Sequence, residues 1–284
     1  MIFRKWNSAW AMGLLSVSVA WAGQSASPWV LTNGPAIGVP ESIGTPSAGC
    51  LRGAAKLAED GTGYYLMRVS RGRSYGHPRL VQLLQSISKE IVTADGAPVL
   101  FGDLSLPRGG PTMSAHSSHQ TGLDADVWYM RPKHWRVSKI SIPEREKTSS
   151  VSVINKKKLA VNRNFGDKQI NLLRAFAEKQ EVDRILVNFA VKRALCKKMP
   201  EQPWIRKIRP WFGHDHHFHV RLKCTDQDTA CKNGEEIPTG NGCDASLDWW
   251  WSAEARLEER KNLFKQDNPV MPVLPPPCTD VLKM

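Results

Sequence analysis

Two short stretches, residues 116–126 and 214–219, hold six of the chain's eight histidines (His116, His119, His214, His216, His217 and His219) together with Asp124, Asp126 and Asp215. A fold that uses them jointly must bring distant parts of the chain side by side, and the local patterns say how. His217, His219, Arg221 and Lys223 alternate with Phe218, Val220 and Leu222. Period two marks a half-buried strand: the apolar set enters a core and the two histidines share the opposite face, roughly 6.5–7 Å apart. Leu123, Ala125, Val127 and Tyr129 alternate with Asp124, Asp126 and Trp128, so Asp126 lies on the polar face of a second strand. Gly122 supplies the turn that swings His119 back over it. A helix also aligns positions seven apart, but Gly122 and the Val127-Trp128-Tyr129 run argue against one here.

Imidazole nitrogen and carboxylate oxygen are zinc donors, and a hydrolytic zinc site needs three protein ligands and one open position. His119, Asp126 and His219 supply that number, which predicts one Zn2+ per chain. Each residue alone has a blander use, histidine as a cap or core residue and aspartate as a turn former. Their clustering inside strand patterns, rather than in a low-complexity histidine tract, favours the metal site. The chain has no His-Glu-x-x-His helix to provide a glutamate base, so a histidine must move the proton. His217, two residues from His219 on the same face, is the candidate. His214 and His116 are candidates for stabilising an oxyanion or orienting water, and His116 also for a weaker fourth ligand. His77 before Pro78 reads as a helix-opening residue and His134 as surface. Asp215 and His216 precede the strand in a loop marked by Gly213, and Trp128 and Trp211 suit either a cleft wall or packing.

Ser117-x-His119-x-x-Gly122-x-x-x-Asp126 followed by His217-x-His219 resembles the signature shared by lysostaphin-type peptidases, D-alanyl-D-alanine metallopeptidases and the hedgehog signalling domain. Gly76-His77-Pro78, the run Ser118 to Asp124, Arg209-Pro210-Trp211-Phe212 and His219-Val220-Arg221-Leu222 resemble, within that group, the penicillin-insensitive murein endopeptidase family. The likeness runs from about Pro28 to Cys278. It implies hydrolysis of D-alanyl to meso-diaminopimelyl cross-links in peptidoglycan, with the first histidine of the His-x-His pair as general base. Family members carry a further aspartate and histidine able to hold a second metal; residues 135–166 contain neither type here, so one zinc is expected.

Residues 1–22, with Arg4-Lys5, an apolar run Ala9–Ala20 and the exit Ala20-Trp21-Ala22, read as a secretory signal, too short and interrupted for a membrane anchor. Removing it leaves 284 − 22 = 262 residues, expected as a single domain from 23 to 284, and lowers the formal charge from +12 to +10. That charge suits an anionic partner such as peptidoglycan, while export and the lack of a nucleic-acid-binding motif disfavour nucleic acid; a periplasmic location is expected, without stable membrane insertion. Six cysteines behind an export signal predict three disulfides in any of fifteen connectivities. The family resemblance implies Cys50 to Cys278, Cys196 to Cys243 and Cys224 to Cys231.

The coarse reading is α+β: a central antiparallel sheet carrying the zinc site, flanking helices and irregular, disulfide-tied termini. A helix opens at Pro78 with Leu80, Leu84, Ile87 and Ile91 in phase, and a second spans Asp167–Gln180. Strands are expected at Pro98–Phe101 and Arg184–Val191, a glycine-rich loop at Pro107–Pro111, a solvated loop at Lys156–Lys158, and irregular chain at 23–46 and through the Cys- and Pro-rich tail, 226–284. The same ligands would serve a D-alanyl-D-alanine carboxypeptidase or a non-catalytic zinc-bearing cell-wall-binding module, and a disulfide-framed envelope protein would leave the histidines incidental. Muropeptide assays would separate the first from an endopeptidase, and metal content would decide the last.

Overall fold

The two alternating stretches become adjacent strands at the centre of a seven-stranded sheet. The computed structural model describes residues 27–112, 117–136 and 139–284. The hairpin β1 (Glu41–Thr45) and β2 (Ala48–Arg52) comes first, then the short strands β3 (Ala55–Lys56), β4 (Asp60–Gly61), β5 (Tyr64–Leu66) and β6 (Tyr75–Gly76). Helix α1 (Pro78–Asp95) leads to β7 (Val99–Phe101) and β8 (Asp124–Trp128), then α2 (Ile142–Lys147), β9 (Ile154–Asn155), β10 (Ala160–Val161) and α3 (Asp167–Ala177). Strand β11 (Val182–Asn188), α4 (Phe189–Lys198), β12 (Ile208–Trp211), β13 (His217–Leu222), α5 (Ala253–Asp267) and α6 (Pro277–Lys283) complete the order. The expected signal at 1–22 lies outside the described residues, of which no helix is long and apolar enough to cross a membrane.

Helix α1 forms where the sequence places it because Pro78 presets its first turn and His77 caps it, the ring Nδ1 accepting from the Arg79 N–H at 3.2 Å. Leu80, Leu84, Ile87 and Ile91 are all buried, and Gly96, at φ +75°, ends the helix.

The large sheet runs β12-β11-β13-β8-β7-β5-β4, and it is mixed, not antiparallel as expected. β11 pairs with β12, and β5 with β7, in parallel. The reason is in the connections: α1 lies between β5 and β7, and α4 between β11 and β12, and a helical crossover returns the chain in the same direction. The pairings that hold the site, β11 to β13, β13 to β8 and β8 to β7, are antiparallel. One face of these strands contributes Ala125, Val127, Ile185, Phe218 and Val220 to a core shared with Leu84 of α1 and Phe176 of α3.

Three other expectations are corrected. The strand read at Arg184–Val191 stops at Asn188, whose side chain accepts from the Ala190 N–H at 3.0 Å and caps α4; a cap overrides the apolar run that follows. Helix α3 ends at Ala177, three residues short of Gln180. The stretches read as irregular contain β1, α5 and α6. Most of α5 is exposed, with only Ala255 buried, so no amphipathic stripe announced it. Disulfides join Cys50 to Cys278, Cys196 to Cys243 and Cys224 to Cys231. The first ties β2 to α6 within a small second core that includes Trp29, Ile43, Leu106 and Val281.

Candidate metal centre

Register decides what the alternating strands can do together. In the β13–β8 pairing His219 lies opposite Asp126, His217 opposite Trp128 and Arg221 opposite Asp124. In the β11–β13 pairing Leu186 lies opposite His219 and Arg184 opposite Arg221. Side chains two apart on a strand share a face, so one face of the sheet carries successive cross-strand rows: Trp128 with His217, then Asp126 with His219 and Leu186, then Asp124 with Arg221 and Arg184. That face is not an open polar surface, because His219 and Asp126 are only 3% and 4% exposed.

His119 arrives over the middle row from the preceding loop. Gly122 turns the chain at φ +73°, where an added Cβ would stand 2.3 Å from Leu51 Cδ2 and 2.9 Å from the His77 backbone nitrogen. His119 itself sits in the left-handed region at φ +69°, as does His214 at +51°, a costly conformation for a residue with a Cβ and one that tends to mark functional sites. The hairpin holds this loop: Ser42 Oγ donates to the Thr121 carbonyl at 2.8 Å, and the Gly49 N–H donates to Gln120 Oε1 at 3.2 Å.

The three predicted ligands converge. His119 Nε2 stands 3.4 Å and His219 Nδ1 3.2 Å from Asp126 Oδ1, and one ligand atom from each residue can be chosen with all three within 4.8 Å of one another. Zinc bonds of about 2.0–2.1 Å arranged tetrahedrally have edges of roughly 3.3 Å, so these spacings and this donor set fit a zinc ion. Asp124 fixes the orientation. Its Oδ1 accepts from His219 Nε2 at 2.8 Å and from Arg221 Nε at 2.6 Å, and its Oδ2 from the His119 backbone N–H at 3.2 Å. With Nε2 carrying the proton, His219 presents Nδ1 as its lone-pair nitrogen, an orientation that carboxylates behind metal-bound histidines commonly enforce.

The electrostatics keep the right groups charged. Burial pushes the Asp124 carboxyl up, but Arg221 and then His219 outweigh it and hold it below the usual carboxylate range. Asp126 is likewise held well below that range, by His217 and His119 against the effect of burial. His214 is pushed down to about 3 by burial and by His217 and His219. Burial also lowers His217, although Asp126 opposes it. Both are therefore neutral near pH 7.

His217 Nε2 is 3.6 Å from Asp126 Oδ1, and its ring centroid is 5.2 Å from that of His214. His214 Nδ1 donates to the Phe212 carbonyl at 2.7 Å, leaving Nε2 as its acceptor nitrogen. Both line a cleft of about 760 Å³ with Asp126, His219, Trp211 and Arg221. Trp211 is 46% exposed on its wall, whereas Trp128 is buried. His116 lies outside the described residues. Asp215 also lines the cleft but is engaged by Ser152 Oγ at 3.0 Å and His216 Nδ1 at 2.8 Å. His134 is exposed, and His77 serves α1. Sequence reasoning gave no role to Asp124, Arg221 or Arg184. The signal for Asp124 was present, since it repeats on β8 the two-residue spacing of His217 and His219 on β13.

Comparison with known proteins agrees with the resemblance read from the motifs. The family model described as penicillin-insensitive murein endopeptidase matches residues 42–283. Proteins of that name from Pectobacterium atrosepticum, Yersinia enterocolitica and Escherichia coli K12 are 35%, 34% and 33% identical to this chain. Each alignment covers 96% of this chain and respectively 94%, 96% and 97% of the relative.

Proposed function

The chain belongs to the penicillin-insensitive murein endopeptidase family, and on that premise we propose that it is an exported, zinc-dependent peptidase that cuts D-alanyl to meso-diaminopimelyl cross-links of peptidoglycan in the periplasm. The observation that carries this reading is the convergence of His119, Asp126 and His219, of which Asp126 and His219 line the cleft. Those three residues would hold one zinc, which would supply a Lewis acid that polarises the scissile carbonyl and lowers the pKa of water to about 7.

The chain's own groups do the rest. His217, neutral and two residues from His219, takes the proton released as the amide is attacked and returns it to the departing amine. His214, held by the Phe212 carbonyl through Nδ1, keeps Nε2 as an acceptor that orients water in the cleft. Asp124 keeps His219 in one tautomer. Three disulfides support an oxidising compartment. No serine nucleophile is needed, so a β-lactam has nothing to acylate.

The test is digestion of purified cross-linked peptidoglycan, read by mass spectrometry beside metal analysis. We expect about one zinc per chain, conversion of cross-linked dimers to monomers, loss of this activity with a chelator, recovery on adding zinc, and no effect of penicillin. Cleavage that persists in metal-free protein would overturn the zinc assignment, and stoichiometric block by penicillin would place the chemistry on a serine.

A further inference from the structure

Two arginines face each other across β11 and β13. Arg184 is in register with Arg221, and like charges directly opposite on neighbouring strands destabilise a sheet. Both guanidiniums are largely removed from water, each side chain being 14% exposed. Each is anchored through Nε, Arg184 to Asp183 Oδ2 at 2.6 Å and Arg221 to Asp124 Oδ1 at 2.6 Å. Arg184 Nη2 also donates to the Glu235 carbonyl, and Arg221 Nη2 lies 3.5 Å from His219 Nε2. Arg184 Nη2 and Arg221 Nη1 both stand 3.9 Å from the point a Cβ on Gly234 would occupy, so the missing side chain leaves space where the two forks meet. Both arginines and Gly234 line the cleft that contains the metal centre.

We propose that Arg184 and Arg221 form a carboxylate-binding subsite that recognises a free carboxylate on the carbon bearing the scissile amide nitrogen. This rests on the cross-link reading above, in which the amine-side diaminopimelate carries such a group. The backbone spacing of the rows is compatible with this carboxylate. The arginine row lies one strand repeat from the ligand row, roughly 6.5–7 Å. From the scissile carbonyl carbon to the neighbouring carboxyl carbon is about 3–4 Å by bond lengths, and a charge-assisted carboxylate–guanidinium contact of about 2.8 Å between heavy atoms completes the span. Arg221 doubles as the clamp on Asp124, whereas Arg184 touches none of the three ligands, which makes Arg184 the cleaner probe.

The experiment compares two cross-linked muropeptide dimers, identical except that the amine-side diaminopimelate carries a free carboxylate or its carboxamide. For the wild type, kcat/KM should favour the acid by about 10–100-fold, as expected for hydrogen bonds to a charged group. Arg184→Gln should collapse that ratio towards one at unchanged zinc content, with the loss falling on the acid dimer, and Arg184→Lys should recover part of it. Gly234→Val, which fills the space between the forks, should also reduce the ratio. Equal use of both dimers by the wild type, or an equal loss on both in Arg184→Gln, rejects the subsite while leaving the endopeptidase reading intact. If the wild type cleaves neither dimer, that reading fails, and titration of N-acetyl-diaminopimelate against its carboxamide decides the subsite alone: binding of the acid that Arg184→Gln weakens supports it, and indifference rejects it.

Discussion

His217 and His219 are the same residue type two positions apart, and what surrounds each separates their roles. His219 is locked between Asp124 and Asp126, whereas His217 is half-buried at the cleft and approaches Asp126 at 3.6 Å. His219→Ala should therefore lose the metal, while His217→Ala should keep zinc and lose about 10²–10⁴-fold in turnover; metal analysis beside kcat decides, and the reverse pattern would exchange the two roles. At this scale the sequence was highly legible, because histidine and aspartate announce their chemistry and alternation says which way they point. For Asp124 it offered only a spacing and for Arg221 nothing, because their use depends on cross-strand register, and no local pattern reveals that His219 will lie beside Asp126 with Asp124 behind it.

Elements place these residues through a few unforgiving positions. Gly122 is one, since its φ of +73° and the 2.3 Å approach of Leu51 leave no place for a methyl group. Gly122→Ala should cost about 1–3 kcal/mol in denaturant stability and weaken zinc retention, because the turn it forms delivers His119; unchanged stability would mean the hairpin can move aside. Lys192 on α4 is another. It is buried, with Nζ donating to the Ile205 carbonyl at 2.8 Å and to that of Asn241, and its pKa is pushed down to about 7 by burial and then by Arg209. The unfolded chain holds this proton up to the ordinary value of 10.5, so between about pH 7 and 10.5 the unfolded state binds more protons and Lys192 makes stability rise with pH. Lys192→Met should remove that rise, so its cost should be larger at pH 9.5 than at pH 7; a cost independent of pH would show that the amine titrates normally. Helices with in-phase apolar residues were legible, as α1 shows. The end of β11 was not, because Asn188 caps a helix whose first residues, Phe189, Ala190 and Val191, suit a strand equally well.

Across the whole molecule, the ends of the described chain close on the site. The Cys50–Cys278 bond spans a sequence separation of 228 and fastens α6 to β2, whose hairpin grips the loop that presents His119. Replacing Cys50 and Cys278 together by serine should lower stability by about 2–5 kcal/mol, the range for removing a native disulfide, read as a shift in the denaturation midpoint; an unchanged midpoint would mean the second core holds without the bond. The sequence by itself determined the candidate ligands, the strands that carry them, the leading helix and the family, because these follow from side-chain chemistry and from periodicities of two and 3.6 that neighbouring residues impose. Only the tertiary structure decided the mixed sheet, the end of β11, the third row of Asp124, Arg221 and Arg184, and the clamp on the His119 loop. Each depends on which distant strand lies alongside and in what register, and that is set by the summed packing of the whole core rather than by any one segment.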